Sequence, residues 1–184
     1  IRDLADPTGT GTRITTHDMH RGARAVVTKQ QMLVLLLRNL DTRQQVGFLA
    51  GVFRVFSDLA LSVDQVATSE TTTTLAIDTA GNHLDRDAIA ALIERLAPLC
   101  EVEAFHHCTC VSVVGQDVRL ELQGLAATRS FFTRYPLHMM SHSAADRSVS
   151  LLVPDEAAHE LAHCLHEVLV MNTDNDCEAE PDLV

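Results

Sequence analysis

Apolar residues at Leu49, Val52, Phe53 and Phe56 recur at the i, i+3, i+4, i+7 spacing of one helix face, so they predict an amphipathic helix starting near Gly47. Ahead of it, residues 32–37 are continuously apolar, the pattern of a strand buried on both faces. Behind it the chain alternates over residues 61–67. Leu61, Val63 and Gln65 fall on one side and Ser62, Asp64 and Val66 on the other, which predicts a half-buried strand. A Thr-rich run, residues 71–77, predicts another strand, and residues 80–82 a turn. Ile89, Leu92, Ile93 and Leu96 set a second helix, with Asp85 able to cap its start and Pro98 to end it; residues 101–106 follow as a strand. The order is βαββαβ.

The same order repeats at a displacement of 76 residues, which pairs Leu61 with Leu137, Val63 with Met139 and Ile77 with Val153. In the second copy, residues 108–114 predict a strand, 122–132 a helix, and 136–141 and 148–153 two strands. Pro154 opens a last helix with Ala158, Leu161, Ala162, Leu165 and Leu169 on one face. That copy lacks a final strand, and the apolar run at residues 23–28 is left over to supply it. The expected fold is α+β: two ferredoxin-like βαββαβ domains, the first inserted within the second, with antiparallel sheets carrying helices on one face. Residues 29–106 make the first domain, and 22–28 with 107–170 the second. Residues 1–21 read as a linker and 171–184 as an acidic tail or linker.

Composition narrows the partners. With 46% hydrophobic residues in 184, the chain has material for a real core. A formal net charge of −11 works against nucleic acid or an anionic membrane surface, which need clustered Lys and Arg. No apolar stretch is long enough for a membrane span and no signal peptide opens the chain, while five cysteines without framework spacing fit reduced thiols in a cytoplasmic compartment. A start at Ile1 rather than Met reads as an excised fragment.

Residues 47–70 carry the candidate chemistry. A helix start after Gly47 offers free backbone N–H groups and about half a positive charge, suited to a carboxylate, whereas Asp64, Ser69 and Glu70 suit an ammonium. Together they describe a pocket for a small zwitterion, an amino acid. The 76-residue alignment sets Asp64 against Met140, Ser69 against Ala145 and Glu70 against Asp146, so only the first copy keeps this chemistry. A lone Asp beside a turn more often caps or pairs at the surface, and the reading rests on the three features converging.

The segment GFLAGVFRVFSDLALSVDQVATSE, followed by TTTTLAIDT, resembles the regulatory ACT-domain pair of lysine-sensitive aspartokinases over residues 22–170, and LVPDE at residues 152–156 fits that family's last helix start. The resemblance implies free lysine bound at Gly47, Phe48, Leu49, Ser62, Val63, Asp64, Thr68, Ser69 and Glu70, feedback-inhibiting aspartate phosphorylation in an upstream kinase domain. It implies ATP and magnesium in that absent kinase and no cofactor in this fragment, a homodimer formed through the ACT domains, and in some relatives a second fused enzyme. DPTGTGTRI resembles the tail of the kinase domain.

Two other readings stand beside it. His159-Glu160-Leu161-Ala162-His163 spells HExxH, two imidazoles one turn apart with a glutamate able to act as base on zinc-bound water. At 100° per residue, however, His159, His163 and His166 fall about 120° from the apolar stripe, toward solvent, and the downstream sequence offers neither the metzincin glycine nor its third His. His106, His107, Cys108 and Cys110 lie on a predicted strand, where alternate residues face apart, so the expectation is no metal. The remaining alternative is a purely structural dimerisation module with an empty pocket.

Overall fold

β1 (Gly22–Asn39) runs for 18 residues and β4 (Cys100–Gln116) for 17, so each joins two strands that the hydrophobic pattern separates. The computed structural model describes residues 22–39, 46–118 and 132–171. Its remaining elements are α1 (Phe48–Asp58), β2 (Gln65–Thr68), β3 (Thr72–Asp78), α2 (Arg86–Leu96), β5 (Met139–His142), β6 (Ser148–Pro154) and α3 (Asp155–Leu165), which continues into a π-helical turn, His166–Met171. All six strands form one antiparallel sheet, in the order β2-β3-β1-β4-β6-β5, where two sheets were expected. The helix predicted at residues 122–132 lies outside the described residues except for Phe132, which is helical.

The two long strands pass their midpoints through residues in the left-handed region, Gln31 at φ 61° and His107 at φ 57°. The β1–β4 register shifts there, between Lys29 and Met32, as a bulge does when it bends a strand. Around this point the pairing is two-fold symmetric. Met32 faces Cys108; Val34 with Phe105 repeats as Cys110 with Lys29, and Leu37 with Val102 repeats as Val113 with Val26, each at the same displacement of 76 positions.

Three buried clusters follow from strand alternation. Leu33, Leu35, Leu37, Leu75 and Ile77 meet Val52, Val55 and Phe56 of α1 and Leu92 and Leu96 of α2. Val111, Val113, Val149, Leu151 and Val153 meet Ala157, Ala158, Leu161 and Leu165 of α3, with Ala23 and Val26 on the same cluster. The opposite face of the sheet is also dry: Met32, Val34, Ala76, Cys108, Cys110, Met139 and Leu152 pack together. Across that third cluster the edge strands approach, with Ser141 Oγ donating to Gln65 Oε1 at 2.9 Å and Gln65 Nε2 to Cys110 Sγ at 3.5 Å. The sheet thus folds back on itself with its helices outside. Each fully buried leucine contributes about 1.5 to 3 kcal/mol, so a face of five such residues outweighs any single polar contact described here.

Local sequence explains most element ends. Asp85 Oδ1 accepts from Ala88 N at 2.8 Å, a cap that stabilises α2 by about 1 kcal/mol. Gly47 precedes α1 at φ 87°, a conformation that other residues adopt only with strain. α1 itself is rotated from the predicted stripe: Val52, Val55 and Phe56 are buried, while Leu49 and Phe53 keep 39% and 37% of their surface exposed. β2 is shorter than expected, beginning at Gln65. Leu61 and Val63 both pack on the first core from an irregular segment, which reproduces strand-like alternation without a strand. In α3 and its extension, Ala158, Leu161, Leu165 and Leu169 are buried and Ala162 half-buried.

Candidate functional site

Gly47 ends the αL turn from which α1 starts, and Phe48 and Leu49 of its first turn, with Thr68, Ser69 and Glu70 of the β2–β3 hairpin, line a small cavity. Asn39 and residues 71–73 complete it, and its volume is about 140 Å³. That is below the roughly 300 Å³ of sites for drug-sized ligands and suits the polar end of an amino acid. The hairpin is rigid: Ser69 N donates to Thr72 O at 2.8 Å, Thr72 N to Ser69 Oγ at 3.1 Å, and the two hydroxyls are 2.7 Å apart. The first turn of α1 has no acidic residue and Gly47 contributes no side-chain cap, so the helix start is open to an anionic group.

Ser62, Val63 and Asp64 stand apart from this cavity, beyond the other end of β2. Ser62 N donates to Asn82 Oδ1 at 2.6 Å, and Val63 packs on the first core. Asp64 Oδ2 accepts from Asp78 N at 2.8 Å, and Lys29 Nζ lies 2.6 Å from Asp64 Oδ1 and 3.1 Å from Asp78 Oδ2. The hydrogen bond to Asp64 raises the Lys29 pKa. The Gly81 N–H, and then Lys29, hold the Asp78 carboxyl below the ordinary carboxylate range. Lys29 has no local sequence signal; only the long-range fold brings it to residues 35 and 49 positions away. At about 3.3 Å per residue, Asp64 and Ser69 are about 16 Å apart along β2, more than the roughly 7 Å between the carboxylate and ammonium of a lysine.

The symmetry between halves corrects the expected pairing of pocket positions. β3 and β6 keep the 76-residue displacement: Leu33 pairs with Ile77 as Thr109 pairs with Val153. The strands beside them do not. Asp64 N donates to Ala76 O at 2.9 Å and His138 N to Leu152 O at 2.9 Å, so Asp64 corresponds to His138, 74 positions on, and not to Met140. Likewise Ser69 corresponds to Ser143, whose N donates to Ser148 O at 3.0 Å, and not to Ala145. The cause is the β5–β6 hairpin, with five residues between strands against three in β2–β3. The serine is therefore present in both halves, while the Lys29–Asp64 ion pair is replaced by Phe105 against His138.

The histidine motifs stay apart from any closed site. His159, His163 and His166 are exposed on α3 and its extension, Glu160 is paired with Arg134, and His163 Nδ1 is 3.4 Å from Glu167 Oε2. Among the described residues no group of three His, Cys, Asp or Glu is placed to hold a metal ion. Burial raises the Cys100 and Cys108 thiols to about 11, which leaves them protonated at neutral pH. A larger, open groove of about 680 Å³ lies elsewhere, among residues that include Gln31, Arg86, His106 and His107. No helix among the described residues is long and apolar enough to cross a membrane.

Known proteins similar to the chain in sequence and geometry agree with one another. Aspartokinase 3, chloroplastic, of Arabidopsis thaliana is 29% identical over 97% of the chain and 33% of its own length, and lysine-sensitive aspartokinase 3 of Escherichia coli is 28% identical over 79% and 33%. The crystal structure of E. coli aspartokinase III with lysine and aspartate superposes with a TM-score of 0.69 at 27% identity, covering 89% of the chain and 37% of that protein. The chain is homologous to aspartokinases. Its antiparallel α+β architecture is that of their regulatory ACT domains. A C-terminal regulatory domain of aspartate kinase from Porphyromonas gingivalis, 22% identical, shares the fold at a TM-score of 0.63 over 79% of this chain and 96% of its own. No protein-family model matches the chain, and it spans about a third of the length of the curated relatives it matches.

Proposed function

We propose that the chain is the lysine-responsive regulatory region of an aspartokinase, binding free lysine at the edge of its first ACT unit and transmitting feedback inhibition to a kinase domain that lies outside this sequence. The observation that carries the reading is the cavity at the open start of α1, where Phe48 and Leu49, just after Gly47, face Thr68, Ser69 and Glu70. Backbone N–H groups of that helix start receive the ligand's carboxylate, and the side chains opposite supply acceptors for an ammonium. The E. coli relative bound to lysine supports the choice of ligand. ATP and magnesium belong to the kinase part, and the working compartment is cytoplasmic.

Two units divide the chain in this reading: residues 29–106, and residues 22–28 with 107–170. The two-fold register of β1 and β4 supports that division. A homodimer completes the site. Edge strand β2 carries an exposed Val66, and α1 an exposed Leu49 and Phe53, apolar surface that a second copy would cover. If two β2 strands pair antiparallel about a centre between Val66 and Ala67, Asp64 of the partner subunit comes opposite Ser69. The 16 Å gap along one strand then closes across the seam, and lysine favours one subunit arrangement by about 1 to 3 kcal/mol per site.

Titration calorimetry of the chain with lysine, threonine and methionine tests this. Lysine is expected to bind at one per chain and the others much more weakly. Absence of lysine heat with a folded, dimeric chain would leave a purely structural dimerisation module instead.

A further inference from the structure

We infer that Lys29 is a tethered ammonium occupying the carboxylates meant for the effector's ammonium, so that lysine binds by displacing it. The inference rests on the lysine-pocket reading above and concerns the same site. Lys29 Nζ sits between Asp64 Oδ1 at 2.6 Å and Asp78 Oδ2 at 3.1 Å, the geometry that a bound primary ammonium would take. Asp64 holds its other oxygen on Asp78 N, and Asp78 its other oxygen on Gly81 N at 2.9 Å, so both carboxylates are fixed in place whether or not Lys29 is there. The occupant is not fixed. Lys29 is 47% exposed on a flexible four-carbon stem, whereas Asp64 and Asp78 are 28% and 21% exposed.

The other half of the sheet provides an internal comparison. By the same two-fold register Lys29 corresponds to Phe105 and Asp64 to His138, and those two rings pack at 4.3 Å with no carboxylate between them. The ammonium site belongs to the first unit alone, and it is filled from within. Lys29 also stands opposite Cys110, in the part of β1 that pairs with the strand of the second unit. Lys29 opens the first unit, so its backbone pairing with Cys110 reaches the second unit while its side chain holds Asp64 and Asp78 of the first, and a ligand that displaces that side chain acts at the junction of the two. Ligand arrival and the relation between units become linked through one cation.

Breaking a half-exposed ion pair costs little, so the internal competitor weakens lysine binding only modestly, about three- to fivefold. Calorimetry of the whole chain decides it. Lys29→Met, which keeps the apolar stem, is expected to bind lysine about three- to fivefold more tightly than wild type, and Lys29→Gln, which keeps a polar tip without the charge and leaves both carboxylates in place, to shift affinity the same way. A second readout follows Lys29 directly: mass spectrometry after mild acylation should show Lys29 labelled faster as lysine is added, with no such change on adding norleucine, which lacks the second ammonium. Equal or weaker lysine binding in both variants, with wild type binding normally, overturns the tethered competitor and leaves the pocket reading intact. Lysine binding to neither wild type nor the variants overturns the pocket reading, and the competitor with it.

Discussion

Phe105 lies against His138, ring centroids 4.3 Å apart and planes inclined at 32°, where the other half of the sheet sets Lys29 against Asp64. Desolvation holds the His138 pKa below the ordinary histidine value, against a weaker pull upward from Glu103. The folded chain therefore prefers the neutral ring. That preference contributes stability in full above about pH 6.5, the unfolded value, and the contribution is lost as pH falls through the lower folded value. Urea unfolding should show a smaller loss of stability between pH 7.5 and pH 5.5 in His138→Phe than in wild type. Equal losses would mean that His138 titrates alike folded and unfolded.

Gly115 touches the start of β1 so closely that a Cβ added to it would meet Gly22 O, and Ala23 Cα at 2.7 Å. Backbone has to shift to admit it. Gly115→Ala should destabilise the chain by about 1 to 3 kcal/mol, read as a lower urea midpoint at unchanged slope. An unchanged midpoint would show that the β1 start is free to move away from β4.

Asp64→Ala should weaken lysine binding by about 1.5 to 3 kcal/mol, the loss of a hydrogen bond to a charged group, while changing stability by less than about 1 kcal/mol because its ion pair is partly exposed. Met140→Ala is the control. Met140 is 58% exposed and does not correspond to Asp64, so neither lysine affinity nor stability should move beyond about 0.5 kcal/mol. Calorimetry and a melt on both variants would separate a pocket role for Asp64 from a structural one.

Lysine at a hundredfold excess over its Kd should stabilise the folded chain by about 2.7 kcal/mol, visible as a rising melting temperature. If the site is completed across a seam, lysine should also tighten self-association, and dilution should weaken apparent affinity by the same linkage. Sedimentation at tens of micromolar, with and without lysine, reads both. A mass indifferent to lysine would remove the partner subunit from the site.

What could be read along the chain was whatever local spacing controls. The Asp85 cap, β3, β6 and the stripe of α3 with Leu161 and Leu165 follow from periodicity because one side of each element meets the core. The joining of strands at Gln31 and His107 left no trace, since nothing about a glutamine or a histidine announces a positive φ. Leu61 and Val63 imitated a strand because the core accepts alternating side chains from irregular backbone as readily as from β-structure. In the candidate site, the helix start and the hairpin that set Phe48 and Leu49 against Thr68, Ser69 and Glu70 follow from local spacing within each element. The engagement of Asp64 by Lys29 does not, because only the folded sheet brings positions 29, 64 and 78 together. Two residues of extra hairpin, enough to exchange Met140 for His138, likewise escape an alignment that allows no gap.

The pairing of Val26 with Val113 also has a temporal side. During synthesis the first of these residues leaves the ribosome 87 positions before the second, a delay of about 4 to 17 s at ordinary elongation rates. Throughout that interval β3 and the first stretch of β4 are already available to pair with the later part of β1, so the first unit can close while residues 22–28 still wait for a neighbour. The nascent first half then presents a half-finished strand as the template on which the second half assembles. Slowing translation between residues 40 and 110 would lengthen the wait and should raise the share of chains lost to aggregation.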